Sequence, residues 1–315
     1  MKVGKAGEFG LIARITARLP LGPAALLGPG DDAALVAVPD NRVVASTDVL
    51  VEGRHFRRDW STGEDVGHRA AAANLADIAA MGAVPTALLV ALCAPPDLDV
   101  RWAEELAEGL AEEAGLVGAS VVGGDISSSP TLTIAVTALG DLDGRAPVRR
   151  SGARPGDVVA VAGRLGYAAA GYTILCRGFR SPKILVESYR RPQVPYHAGP
   201  EAAALGATSM IDVSDGLLAD LAHIAEASGV AVDLRKDAFP VPVQMRDAAA
   251  ALGVDPYTWL LAGGDDHALA ATFPPEARIG ADWLVVGEVQ EGVPGVTVDG
   301  RPYGDGATGW DHFRS

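Results

Sequence analysis

The stretch Ser61-Thr62-Gly63-Glu64-Asp65-Val66-Gly67-His68-Arg69-Ala70-Ala71-Ala72-Ala73-Asn74-Leu75-Ala76-Asp77-Ile78-Ala79-Ala80-Met81-Gly82-Ala83-Val84-Pro85-Thr86-Ala87-Leu88-Leu89-Val90-Ala91-Leu92-Cys93 reads as a capped helix that runs into a strand. Ser61 and Glu64 have the spacing of a capping box, in which a hydroxyl and a carboxyl satisfy the first free N–H groups of a helix. The Ala-rich run predicts a helix through Met81, stopped by Gly82 and Pro85. Thr86–Cys93 is apolar and short, as a buried strand is. On the predicted helix Asn74 and Asp77 stand three apart and share one face.

Outward from this core, residues 8–19 predict a short amphipathic helix. Ala33–Val38 and Val43–Thr47 predict two strands joined by the turn Pro39-Asp40-Asn41. On the other side come an amphipathic helix over Asp99–Ala114 and strands over Ser120–Val122 and Thr131–Gly140. A turn-rich segment follows, then a strand over Val158–Ala162 and a helix from Tyr167 to Arg177. Pro182, Pro192, Pro195 and Pro200 cut residues 178–208 into short pieces. Ser209–Val213 predicts a strand, Leu217–Ser228 a helix closed by Gly229, and Asp299-Gly300 a hairpin turn. The expectation is an α/β protein of the α+β type with two domains, residues 1–145 and 146–315.

The bulk numbers limit the partners. The chain has 315 residues and a net charge of −14, which argues against nucleic acid and anionic membranes, since both need a basic face. Hydrophobic residues make up 49% and aromatics 5%, so the core is aliphatic and rich in alanine. No apolar run is long enough to cross a bilayer and no signal-peptide pattern opens the chain, which predicts a soluble cytoplasmic protein. Cys93 and Cys176 sit in apolar sequence and are expected to be buried small hydrophobes.

Carboxylates recur in small-residue settings: Gly30-Asp31-Asp32, Ser46-Thr47-Asp48, Asn74-Leu75-Ala76-Asp77, Gly123-Gly124-Asp125, Asp212-Val213-Ser214-Asp215-Gly216 and Gly263-Gly264-Asp265-Asp266. Each alone has an ordinary explanation, such as a turn, a helix cap or a solvated helix face. As a set, placed at strand ends or on a helix beside Gly, Ser or Thr, they need a counter-charge. Mg²⁺ prefers oxygen ligands and bridges proteins to phosphates, so the set points to metal-assisted phosphoryl transfer. Ser46, Thr47 and Ser214 add further oxygen donors. Nothing matches Gly-x4-Gly-Lys-[Ser/Thr], the protein-kinase motifs, a zinc spacing or the Gly-x-Ser-x-Gly elbow. Among the histidines, His55, seven residues after Asp48, is the favoured substrate contact. Trp310 either pins the tail or stacks on a flat or cationic heteroaromatic group.

These motifs, in this order, resemble the thiamine-monophosphate kinase family of the aminoimidazole-ribonucleotide-synthetase-like ATP-binding superfamily. The resemblance runs through Gly7-Glu8-Phe9-Gly10-Leu11-Ile12, the carboxylate motifs, Arg150-Ser151-Gly152-Ala153-Arg154-Pro155-Gly156-Asp157 and Gly309-Trp310-Asp311-His312-Phe313. It implies a mixed-sheet N-terminal domain that holds metal and ATP and forms a homodimer. A C-terminal α/β domain of the same superfamily would complete the ATP and substrate site. It implies in-line transfer from ATP to thiamine monophosphate, assisted by several Mg²⁺ ions, as the last step of thiamine diphosphate biosynthesis. Carried over by motif, Asp32, Ser46, Thr47, Asp48, Asp77, Asp125, Asp212 and Asp215 would hold metal, with Asp31 in support. Gly124, Arg150 and Ser214 would contact ATP, and His55, Asp265 and Trp310 the thiamine phosphate.

The chain departs from the family at two places: Arg54 stands before His55 where a smaller or neutral residue is expected, and one motif differs. Gly263-Gly264-Asp265-Asp266-His267-Ala268 stands where the family reads Gly-Gly-Glu-Asp-Tyr-Glu, so Asp265 is one methylene short and His267 replaces a tyrosine. The alternatives are another ATP-dependent enzyme of the superfamily and a non-catalytic Mg-nucleotide-binding protein.

Overall fold

The computed structural model describes residues 1–29, 33–303 and 309. The chain divides into two compact units, Met1–Ile78 with Ala83–Gly144, and Ala79–Gly82 with Arg145–Ser315.

The first unit runs α1 (Val3–Ala6), α2 (Glu8–Thr16), β1 (Ala25–Leu27), β2 (Leu35–Val36), β3 (Val44–Val51), α3 (Gly63–Ala80), β4 (Val84–Ala94), α4 (Val100–Gly115), β5 (Ser120–Ser128) and β6 (Thr133–Asp141). Four strands form a mixed sheet in the order β3-β6-β4-β5, parallel only between β4 and β5. Burial alternates along β6: Ile134, Val136 and Ala138 are buried, while Ala135 and Thr137 between them are half-exposed. One face of the sheet is therefore covered and the other open. Helix α3 lies on the covered face, where its Asn74 and Asp77 bond to β3. Helices α3 and α4 meet closely through glycines; a Cβ on Gly109 would fall 2.1 Å from the Glu64 carbonyl oxygen.

The long helix is present, but its cap is Thr62 with Asp65. The Asp65 N–H donates to Thr62 Oγ1 (3.2 Å) and the Thr62 N–H to Asp65 Oδ2 (3.0 Å), one residue on from the expected Ser61–Glu64 pair. The hairpin expected over residues 33–47 does not form. β2 pairs with β1, and β3 pairs along its whole length with β6, from Val44↔Gly140 to Val51↔Thr133. An eight-residue ladder that sets Leu50 opposite buried Ile134 outweighs a local turn signal. β5 runs six residues beyond the expected Val122, so Gly123, Gly124 and Asp125 lie inside a strand. Cys93 is partly exposed and Cys176 exposed, contrary to the expected burial; Cys93 points to the half-open face of β4 and Cys176 ends a helix.

The second unit runs β7 (Val158–Ala162), α5 (Tyr167–Cys176), α6 (Lys183–Arg190), α7 (Ala198–Ala204), β8 (Ser209–Val213), α8 (Leu217–Ser228), β9 (Ala231–Leu234), α9 (Val243–Leu252), α10 (Pro256–Ala262), β10 (Ala268–Phe273), β11 (Trp283–Gln290) and β12 (Gly295–Val298). The sheet order is β12-β9-β11-β7-β10-β8, antiparallel except between β12 and β9. Every residue of β8 and β10 is buried. Because the two are antiparallel with Val213 opposite Ala268, the end of β8 and the start of β10 come together. Among the described residues no helix is long and apolar enough to cross a membrane.

Candidate active site

In the first unit, β3 and α3 bring three of the predicted site residues, together with Asn74, into two hydrogen-bonded pairs. Ser46 Oγ donates to Asp77 Oδ2 at 2.5 Å. The Asp48 N–H donates to Asn74 Oδ1 at 3.0 Å, and Asn74 Nδ2 donates to the Ala70 carbonyl at 2.9 Å. Ser46 and Asp48 are two apart on the strand and face α3 together, which presents Asn74 and Asp77 from one helical face. Asn74 thus fixes the strand that carries Asp48, a role that sequence alone leaves open. Thr47 points to the opposite, open face: its hydroxyl donates to the Val136 carbonyl (2.9 Å) and receives from Thr137 Oγ1 (3.2 Å). His55, in the turn after β3, is half-buried. Its Nδ1 accepts from the Val51 N–H at 3.0 Å, which leaves the ring proton on Nε2 in the neutral form.

Gly124 and Asp125 do not join this group within one chain. Asp48 aligns across the sheet with Val136, Val90 and Gly124, one residue per strand. Three strand spacings, roughly 14 Å, separate the two edges. Asp125 lies one residue further, in the row of Val49, Ala135 and Ala91, and so faces the open side together with Thr47.

In the second unit, two loops lock together at the end of β8. The Asp265 N–H donates to the Ser214 carbonyl at 2.8 Å and the His267 N–H to the Val213 carbonyl at 3.0 Å. A Cβ on Gly264 would sit 2.2 Å from the Ser214 carbonyl oxygen, so only glycine permits this approach. Asp265 and His267 adopt positive φ, +67° and +52°. Asp212 is 5% exposed and its Oδ2 lies 3.2 Å from His267 Nδ1. The N-cap of α8 is Gly216, not Ser214 or Asp215. Asp220 closes that turn instead, accepting from the Asp215 N–H (3.1 Å) and the Gly216 N–H (3.0 Å). Burial, then the charges of Asp212 and Asp215, push the Asp220 carboxyl up to about 7. Asp266, 4% exposed, accepts from the Gly166 and Ala168 N–H groups at 2.6 and 2.8 Å and so caps α5 from a distant loop. Burial pushes its carboxyl up to about 7 as well, against the lowering effect of the two N–H donors.

Sequence reading missed Asp220, whose one local signal is an acid in the first turn after Gly216, and it singled out Asp266 and His267 without giving either its structural role. Asp31, Asp32 and Trp310 lie outside the described residues. Arg150 is exposed beside a cavity of about 740 Å³ lined by Arg145, Arg149, Arg154, Thr208 and Pro274. That cavity sits at the start of β8, the far end of the strand from Asp212, and contains none of the carboxylates above. The donors gathered in both units are carboxylate and hydroxyl oxygens, with no thiolate among them. They fit a hard divalent cation such as Mg²⁺.

Known proteins carry the same architecture. Residues 30–142 match the family model "AIR synthase related protein, N-terminal domain". The thiamine-monophosphate kinase of Mycobacterium tuberculosis (strain CDC 1551 / Oshkosh) is 51% identical over 98% of this chain and 92% of its own. That of Escherichia coli (strain K12) is 35% identical over 98% of both. Among solved structures, AaThiL complexed with AMPPCP and TMP superposes with a TM-score of 0.80 at 33% identity, over 99% of both chains. The enzyme from Stenotrophomonas maltophilia K279a gives a TM-score of 0.82 at 32% identity, over 92% of this chain and 96% of that one. A chain matched end to end at this identity, with both carboxylate clusters in place, belongs to the thiamine-monophosphate kinase family.

Proposed function

We propose that this protein transfers the terminal phosphoryl group of ATP to thiamine monophosphate, giving thiamine diphosphate, the last step of that cofactor's biosynthesis, in the cytoplasm. The observation that carries this reading is the pair of oxygen-donor clusters in a chain of that family. The acceptor is already an anionic phosphate, so the reaction needs no strong base. Its obstacle is bringing two anions together in line. Asp32, Ser46, Thr47, Asp48, Asp77, Asp125, Asp212 and Asp215 would hold Mg²⁺. When bound, the ions neutralise phosphate charge and stabilise charge that develops in the transition state. Ser46 orients Asp77, Asn74 fixes the strand beneath Asp48, and Asp220 holds the turn that carries Asp215. Gly124, Arg150 and Ser214 are assigned to ATP. His55, with its proton on Nε2, Asp265 and Trp310 are assigned to the thiamine phosphate. Residues 1–145 supply metal binding and dimerisation, and residues 146–315 the remaining ATP and acceptor contacts.

The open face of the first sheet supports a homodimer. Val49 and Leu89 expose 46% and 38% of their surface there, on a face that also carries Thr47 and Asp125. One chain keeps Asp125 at the far edge from Asp48. A second copy, packed on this face by a two-fold axis, supplies its β5 edge to the first copy's β3 edge. Asp125 would then face the partner's Thr47, with the exposed Asp48 next to it on the same edge strand.

Product formation from thiamine monophosphate with ATP and Mg²⁺, resolved by chromatography, tests the reaction. The expected result is chelator-sensitive thiamine diphosphate, with no product from free thiamine. ATP binding with no product on any thiamine phosphate would replace this reading with a binding protein or another superfamily enzyme.

A further inference from the structure

We propose that His267 is a positioning residue for the Asp212 carboxylate, holding one of its oxygens so that the other is presented to a divalent cation. This rests on the assignment of Asp212 as a metal ligand.

The geometry is built rather than incidental. Both side chains are buried, at 7% and 6% exposure, and the Nδ1···Oδ2 distance is 3.2 Å. The His267 backbone is fixed from two sides. Its N–H is bonded to Val213, and its φ of +52° is a conformation that a residue with a Cβ keeps only when its surroundings impose it. The strand that carries Asp212 ends at the residue to which His267 is bonded, so ring and carboxylate are set by the same ladder. The carboxylate also needs a donor. Asp212 and Asp220 are 5% and 3% exposed, and Asp220 accepts from the Asp215 N–H, so acids meet at a corner that water reaches poorly. An imidazole N–H aimed at Asp212 offsets that repulsion at one oxygen. It also stops the carboxylate from rotating away from a ligand. Hydrogen-bonded partners of this kind typically change metal affinity about 10–100-fold when removed.

The bland alternative is that His267 is a satisfied core residue and matters only for folding. Three variants of the full chain separate the two. His267→Asn keeps an N–H near the Nδ1 position and tolerates positive φ. His267→Gln moves the amide to the Nε2 reach. His267→Leu removes the donor. Mn²⁺ binding to the nucleotide-free protein is measured by electron paramagnetic resonance, beside the metal-free thermal midpoint and the split between KM for Mg·ATP and kcat. The expected result is Mn²⁺ affinity within about threefold of wild type for His267→Asn, and a loss of about 10–100-fold for His267→Gln and His267→Leu. The loss should extend to variants whose midpoint is unchanged, and KM for Mg·ATP should rise in step. Wild-type Mn²⁺ affinity in His267→Gln, or His267→Asn falling as far as His267→Gln, would overturn the inference. If His267→Leu fails to fold, the Asn–Gln contrast still decides. A wild-type protein that binds no Mn²⁺ would instead overturn the metal role of Asp212 itself, before any variant is compared.

Discussion

The two carboxylate clusters are built by opposite means. In the first unit the acids sit on regular elements, β3 and α3; Asp48 is exposed, and neutral groups, Ser46 and Asn74, bond to the Asp77 carboxylate and to the Asp48 N–H. In the second unit the acids gather where two loops interlock, with Asp212 near the end of β8, Asp220 in the first turn of α8 and Asp266 in the loop before β10, and each of these three is at most 5% exposed. Exposed acids on a rigid frame remain hydrated until a ligand arrives. Buried acids must be satisfied by the protein itself, here through main-chain N–H groups and a histidine. The first cluster is therefore separable from the fold, whereas the second is part of what holds it.

The sharpest way to break this contrast is on the first sheet. Asp125→Ala and Asp48→Ala are each expected to lose about 10²–10³-fold in rate, comparable to loss of an electrostatic donor, with unchanged thermal midpoints. Mixed and allowed to exchange subunits, the two inactive variants should recover about a quarter of wild-type activity. Half of the dimers are then hybrid, each with one intact site. No recovery would sink the shared site.

In the second unit, removal of an acid should cost stability. Asp266→Ala strands two buried N–H groups at the start of α5, each worth about 1–3 kcal/mol, so urea unfolding should show a loss of about 2–6 kcal/mol. A loss below about 0.5 kcal/mol would mean that water replaces the carboxylate, and the contrast between the units would fail.

The same residue sets a pH dependence. Its folded pKa is about 7 against an ordinary 3.8, so between these values the folded chain keeps a proton that the unfolded chain has lost. That contribution to stability is largest below 3.8, declines as pH rises toward 7 and is flat above. Asp266→Asn has no such proton. The stability gap between wild type and Asp266→Asn should therefore be larger near about pH 5 than near about pH 8; a gap that grows with pH would reverse the assignment. The smallest effect belongs to Ser46→Ala, which should weaken Mn²⁺ binding about tenfold and leave the midpoint unchanged.

What the sequence made legible was local. The helix over residues 63–80 announces itself through an alanine run and Gly82, although its cap falls one residue later than the spacing suggests. Leu217–Ser228 does so through its apolar spacing and Gly229, and the Asn74–Asp77 face follows from helical periodicity. What stayed hidden was non-local. The partner of β3 lies about 90 residues on, at β6, and the nearer turn at Pro39-Asp40-Asn41 misdirected the reading. Asp266 answers to N–H groups some 100 residues earlier, and His267 to Asp212, 55 residues away. No spacing rule reaches that far. The separation of Asp125 from Asp48 is likewise a fact of strand order, which the shared small-residue motifs conceal.

The account holds that carboxylates in both units serve one metal-dependent reaction. The direct test is single-turnover formation of thiamine diphosphate from ATP and thiamine monophosphate by Asp77→Ala and Asp212→Asn, each first shown to be folded. The account predicts that both lose about 10²–10³-fold in rate at saturating Mg²⁺. A wild-type rate in either variant would contradict it, because one cluster would then be carrying the reaction alone.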